Sequence, residues 1–569
     1  MDPELRRRFD EIRRRGPIQR TLLDEFFDVK YDRREFIRRA TIFGLSASAI
    51  GGVLAMAGCG PSSTTTTGPK QGGRLRLGII PPPVHTIEPH TFAEQGALET
   101  GSVCGEFLIR ATANLKLVPE LATSWTPNAD ASTWTVKLRS GVKFQNGQAM
   151  TADDVIATFK RLVSPDTGSQ ALSAFKGVLK PTGVTKTDDL TVTFNLDNAN
   201  ASFPYLLSST TYQAIILPAN YQVVTSGPTS FTTTPQCTGA FKLVSYTPGV
   251  GAKYDRYTGW WGGQAPLDGV DATYYTDAAA ADAALLGGTL DLLGQIQLGT
   301  DRALFNNPAV QVFSAHGATH RQVPMRVDLN NPFKDAKVRQ AVALTLDRPA
   351  IVNTLFTSFA DIGNDTPWAP VYPSTVGAPD VPQRKQDITM AKQLMSTAGY
   401  ANGFAITLTT EQTGEIPQLA QIIQSAVKAI NIDMKLDIQT ATAYFDGTQI
   451  GPPSGWGNTP WLNAPINITD WGHRSVPNVF LTSALSTGAV WNAAHYSNPD
   501  FDAAAKSFVA AISLTDQQKY AKIAENILLA DTPVIFPYFY NYLAAGAKNV
   551  KGYDADPLGT VYLSKTSLG

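Results

Sequence analysis

Apolar and polar residues alternate along Trp134-Thr135-Val136-Lys137-Leu138-Arg139. That period of two puts Trp134, Val136 and Leu138 on one face of a half-buried strand. Thr191-Val192-Thr193-Phe194-Asn195-Leu196 has the same pattern. Between them, Thr151-Ala152-Asp153-Asp154 opens a helix: Thr151 is placed to cap it and Asp154 stands at the reciprocal position of a capping box. A second helix is expected from Asp335, with Val338, Ala341, Val342 and Leu346 on its inner face. A third is expected from Thr515, with Gln518 as reciprocal cap and Tyr520, Ile523, Ile527 and Leu528 buried. Strands and helices interleave without a repeated unit, which predicts mixed α/β domains and excludes a solenoid or a sandwich.

Composition narrows the class. The chain has 569 residues, 43% hydrophobic and 17% charged, a globular balance. A chain of that length divides into two or three domains. Net charge is −1; residues 1–58 carry twelve Lys/Arg against nine Asp/Glu, a net of +3, so the remainder is −4. No basic stripe is present for a nucleic-acid partner, and none is expected. After residue 60 no segment approaches the roughly 20 apolar residues of a membrane span.

The N-terminal region reads as an export signal over residues 1–58. Asp32-Arg33-Arg34-Glu35-Phe36-Ile37-Arg38 fits a twin-arginine pattern in Arg33, Arg34 and Phe36, with Asp32 where Ser or Thr is usual. An uncharged stretch rich in Ala, Gly and Ser follows and ends in Met56-Ala57-Gly58-Cys59, which resembles a lipoprotein signal-peptidase site. On this reading Cys59 is lipidated and residues 59–73, with four consecutive threonines, form a flexible tether. The alternative is an uncleaved anchor with an incidental cysteine.

Only three cysteines occur. With Cys59 acylated, Cys104 and Cys237 remain as an even pair in an oxidising compartment, which favours a disulfide between them. Two buried free thiols are the competing reading.

Several ordered motifs carry a family resemblance. Leu117-Val118-Pro119-Glu120-Leu121-Ala122-Thr123-Ser124-Trp125 is followed by Leu138-Arg139-Ser140-Gly141-Val142-Lys143-Phe144 and by Thr151-Ala152-Asp153-Asp154-Val155. With Thr86 to His90, Thr238 to Leu243, Tyr257 to Leu267, Phe333 to Ala341 and Tyr496 to Asp502, this resembles the extracellular solute-binding proteins of the oligopeptide, dipeptide and nickel importers. Gln145-Asn146 stands where that family usually has His-Asp.

The resemblance implies an α/β, two-lobed, hinged, periplasmic-binding-protein-like fold with an enlarged, discontinuous first lobe. Residues 74–315 would form the first lobe, rejoined by residues 530–569, and residues 316–529 the second. It implies a receptor, not an enzyme, that closes on a small or peptide-like ligand and presents it to an ATP-binding-cassette (ABC) permease. The chain contains no P-loop, so the ATPase would be a separate subunit. No cofactor is called for, and a hinged receptor needs no symmetric partner, so a monomer is expected.

Four of the nine tryptophans fall between Trp456 and Trp491, in the part that contributes to the ligand pocket of the resembling family. Asp470 would receive an ammonium, Arg474 a carboxylate, and Trp471 would supply apolar area or a cation–π face; Trp461 and His473 are further candidates. The competing reading makes the tryptophans core and pairs the charges with each other. His316 and His320 read as strand or turn and not as a metal pair. Two rival functions remain: a secreted hydrolase of peptides or glycans, whose carboxylates a large cleft could hide, and a sensory receptor that presents its ligand without transport.

Overall fold

The computed structural model describes residues 69–81, 87–223, 230–233, 236–445 and 459–569. Arg33, Arg34, Phe36 and Cys59 lie outside the described residues, as does Trp456. Residues 71–569 form one compact unit. Among the described residues no helix is long and apolar enough to cross a membrane.

The alternating segments form strands. Thr133–Leu138 buries Trp134, Val136 and Leu138, and pairs antiparallel with Ala122–Pro127 on one side and Thr191–Asn195 on the other. Val184–Asp188 completes a four-stranded sheet. The helix Ala152–Val163 crosses behind it, and the expected capping box is complete, with the Thr151 amide donating to Asp154 Oδ2 at 2.7 Å. Two of the four orphan amides of the first turn are thereby satisfied.

A larger, twelve-stranded sheet runs the length of the unit. Its order is Asp433–Gln439, Ala405–Glu411, Ile466–Trp471, Val310–Pro324, Tyr538–Ala547, Leu292–Leu293, Arg74–Ile79, Gly269–Tyr274, Gly251–Arg256 and Phe241–Thr247, with two short strands off this path. The first three strands are mutually parallel and flanked by helices, as parallel pairing with crossovers requires. The long central strands Val310–Pro324 and Tyr538–Ala547 are antiparallel, with a register shift between Ala315 and Thr319.

Burial divides along these strands. Leu75, Leu77, Phe107, Trp134, Phe159, Phe194, Val270, Ala544 and Leu563 share one core. Val323, Phe333, Val338, Leu408, Ile423, Ile466 and Ile468 share another. Of the residues from 530 on, Ile535 and Tyr538 pack in the second of these cores. Contact with the first resumes at Tyr542 and Ala544, because the strand Tyr538–Ala547 itself passes from one core to the other.

Two helices differ from expectation. Asp335 caps Ala336–Leu344 as predicted, and Val338, Ala341 and Val342 are buried, but Leu346 reaches the core from beyond the helix end. The third helix is Leu514–Asp531, capped by Ser513, which accepts from the Asp516 amide at 3.0 Å. Its buried face is Ala521, Ala524, Glu525 and Leu528; Ile523 is 43% exposed, and Tyr520 and Ile527 are only partly buried. Small Ala504 and Ala505 on the neighbouring helix Pro499–Ala510 meet Ala521 and Ala524 in one cluster.

Glu525, among the buried residues of this helix, is 2% exposed and receives the Thr366 hydroxyl at 3.0 Å. Burial pushes its pKa up to about 8, against the pull of Thr366 and the Val376 amide. The folded-state value lies above the unfolded one, so stability is lost as pH rises through the interval between them. Glu525→Gln should therefore gain stability relative to wild type between pH 5 and pH 8, read from urea midpoints. An equal difference at both pH values would contradict this.

Candidate functional site

The strand Ile466–Trp471 ends at Asp470 and Trp471, and both its neighbours bring charge to that end. Its antiparallel partner sets Arg321 directly opposite Asp470. Its parallel partner ends in Glu411, after which the chain turns through Thr413 and Gly414 to Glu415 at the start of the helix Ile416–Val427. Strand register therefore gathers three carboxylates and one guanidinium at one sheet edge.

Arg321 is the centre of the cluster, with its side chain only 4% exposed. Its Nη1 donates to Asp470 Oδ1. Its Nε lies 2.9 Å from Glu415 Oε1, and its Nη2 donates to Glu415 Oε2 at 3.0 Å. The guanidinium carbon sits 4.9 Å from the centre of the Tyr540 ring, and Nη1 reaches the Tyr540 hydroxyl at 3.2 Å. Tyr538 donates to Glu415 Oε1 at 2.7 Å. Burial opposes the charge on Arg321, but Tyr540, Glu415 and Asp470 outweigh it and hold the guanidinium protonated.

Asp470 keeps 42% of its side chain exposed despite this pairing. Burial raises its pKa and Glu415 adds to the rise, while Arg321 pulls the other way. Glu411 is raised by burial and by Asp470; its Oε2 receives the Thr413 hydroxyl at 2.8 Å. One cation faces three carboxylates, so the edge stays acidic.

The other sequence-predicted residues separate by depth. Trp471 is buried, edge-on to Phe480 at 5.7 Å and to Trp491 at 5.9 Å. Trp461 is buried in the same cluster. His473 is buried too, its Nδ1 accepting from the Ala318 amide at 2.9 Å, and burial together with Arg474 lowers its pKa to about 3. It is thus a neutral acceptor tying the strand end to the register shift at Ala315–Thr319. Arg474 is exposed, its Nη1 donating to the His473 carbonyl at 2.7 Å, while its own carbonyl receives the Tyr372 hydroxyl at 2.6 Å. Asp470 and Arg474 thus offer accessible charge, and Trp461, Trp471 and His473 shape the ground beneath them.

Arg321, Glu411, Glu415, Tyr538 and Tyr540 were not anticipated from sequence. Arg321 carried a usable signal, a lone cation within a strand whose neighbours are buried. His316 and His320 lie on that strand as expected: His316 meets Asp361 at 2.8 Å at the surface, and His320 is buried against Phe480, Phe536 and Phe539. Cys104 and Cys237 are both buried and face each other, with their sulfurs 3.5 Å apart. A separate cavity of about 570 Å³, lined by Arg110, Asn114, Phe313, Ser314, Asp554 and Tyr562 among others, shares no lining residue with the Arg321 cluster.

These features sit within a recognisable family. Residues 116–492 match the family model described as bacterial extracellular solute-binding proteins, family 5 middle. The chain belongs to that family of extracytoplasmic solute-binding proteins. It is 26% identical over 529 residues to the oligopeptide-binding protein AppA of Bacillus subtilis, covering 87% of this chain and 91% of that one. It is 26% identical over 452 residues to the glutathione-binding protein GsiB of Pectobacterium atrosepticum, covering 78% and 84%. Among solved structures, HbpA2 from Haemophilus parasuis superposes with a TM-score of 0.74 at 20% identity, over 87% of this chain and all of that one. The two-lobed α/β fold follows from this likeness.

Replacing Arg321 with Met should cost about 3 kcal/mol or more at pH 7, because Glu415 and Asp470 lose their common cation. The loss should shrink at pH 4, because burial raises the Asp470 carboxyl and, as pH falls, it needs its counter-charge progressively less. Urea unfolding at the two pH values checks this; an equal loss at both would contradict it.

Proposed function

We propose that the protein is a lipid-anchored receptor that captures a small, peptide-like ligand between its lobes and delivers it to an ABC import permease. The observation that carries the ligand class is the half-exposed Asp470 in an acidic cluster, with the exposed Arg474 four residues away. An acid and a base at that spacing suit a zwitterion: the ammonium meets Asp470 and the carboxylate meets Arg474. Trp471, with Trp461 and His473 behind it, supplies the rigid apolar wall that such a pocket needs.

The names of relatives support the same class, since AppA is named for oligopeptides and GsiB for glutathione, itself a peptide. The lobes, divided near residues 315–316, would close because the ligand contacts both and so binds the closed arrangement more tightly than the open one. The permease and its separate ATPase subunits would read that closed form from a monomeric receptor. Export through the twin-arginine signal at Arg33 and Arg34, and lipidation of Cys59, would keep the receptor at the membrane.

Two measurements test this. In titration calorimetry, tri-alanine should bind the soluble domain, with at least about tenfold weaker binding for N-acetyl-tri-alanine and for Asp470→Asn. Undiminished binding in either case would remove the ammonium–Asp470 contact, and peptide returned cleaved would favour a hydrolase. For the anchor, metabolic labelling with a fatty-acid analogue should mark the wild-type chain and not Cys59→Ser; equal labelling would refute lipidation at Cys59.

A further inference from the structure

Cys104 and Cys237 are 133 residues apart in sequence, yet their sulfurs face each other at 3.5 Å in the interior, each residue no more than 2% exposed. Their backbones are also locked together. The Gly239 amide donates to the Cys104 carbonyl at 3.1 Å, and a Cβ on Gly239 would come within 2.5 Å of that oxygen. On the other side the Gln145 amide donates to the Cys237 carbonyl at 2.8 Å, and Gln145 Nε2 donates to the carbonyls of Gly239 and Phe241. Both segments are therefore fixed before any covalent bond is considered. The sulfurs need to approach by only roughly 1.5 Å to reach bonding distance, within reach of rotation about the side-chain bonds.

The position of the pair in the chain gives it a role. Cys104 follows the helix Gln95–Ser102, where the chain leaves the large sheet, and Cys237 precedes the strand Phe241–Thr247, where it returns. Everything between them includes the hairpin Ile109–Pro119, the four-stranded sheet and the helix Ala152–Val163. The two cysteines stand at the neck of this insertion.

We infer that Cys104 and Cys237 are a disulfide-forming site, a covalent clasp that closes the neck of the inserted four-stranded segment once the protein reaches an oxidising compartment. The extracellular assignment of the family supplies that compartment. The co-reactant is a disulfide, of a protein oxidant or of a small molecule. One cysteine thiolate attacks it and releases one thiol; the second cysteine thiolate then attacks the resulting mixed disulfide and releases the other. The Cys104–Cys237 S–S bond forms, the oxidant S–S bond breaks with two electrons passing to its sulfurs, and the two protons lost from the cysteines pass through solvent to the two leaving thiolates, giving two thiols. Burial raises the Cys237 thiol, so exchange belongs to folding, before the neck closes.

The test uses the full chain exported by a bacterial host, denatured and alkylated with N-ethylmaleimide before and after reduction, then digested and mapped by mass spectrometry. The expected result is a linked peptide containing Cys104 and Cys237, with neither alkylated until reductant is added. Alkylation of both without reductant, or an adduct of either with another thiol, would overturn the proposal. A melting curve gives a second readout: reductant should lower the wild-type Tm by about 5 °C or more and leave Cys104→Ser/Cys237→Ser unmoved. A wild-type Tm insensitive to reductant under conditions that reduce the bond would overturn the clasp. Neither readout depends on ligand binding, so failure here is separable from failure of the importer reading.

Discussion

Two antiparallel strands, Val310–Pro324 and Tyr538–Ala547, hold the molecule's separate interiors in one sheet. Along them, Val310 and Leu543 pack with the cluster around Leu285 and Leu293, Ala315 and Ala544 with the first core, Ala318 and Phe539 with the cluster around Trp368 and Phe501, and Val323 and Tyr538 with the second core. A ladder of backbone hydrogen bonds resists stretching far more than local bending, and its register shift at Ala315–Thr319 is where such a ladder bends most easily. The ladder thus fixes which residues belong to each core, with one irregularity between Ala315 and Thr319.

The charged cluster gains its meaning from that position. Arg321 follows the register shift by two residues, and its partners Asp470, Glu415 and Tyr540 come from three other segments converging there. His473 bonds to the Ala318 amide inside the shifted segment. Asp470 and His473 are thus tied by direct hydrogen bonds to the strand that carries the register shift. Arg321 also sets the electrostatic level: without it three carboxylates would repel one another, and with it one carboxylate stays partly exposed and available.

Sequence disclosed the local features and left the distant ones hidden. Trp134, Val136 and Leu138 alternate within one strand, and Thr151 and Asp154 lie within one helical turn, so their roles are written in adjacent residues. The start of the last long helix was misplaced because Ser513-Leu514-Thr515-Asp516-Gln517-Gln518 contains two overlapping capping patterns, and tertiary packing of alanines chose between them. Asp470 stood out in the sequence as an acid beside Trp471, but its counter-ion lies 149 residues earlier on a strand whose pairing no local pattern reveals. Tyr538 and Tyr540 were hidden for the same reason. Trp461 and Trp471 are mostly buried in one cluster, as their size favours.

The most direct measurement is native mass spectrometry of the gently purified domain beginning after Cys59, followed by fragmentation of whatever travels with it. The account predicts one intact peptide-like molecule per monomer, carrying a free ammonium group. A protein that carries no ligand and cleaves peptides offered to it would contradict the account and replace the receptor with a hydrolase.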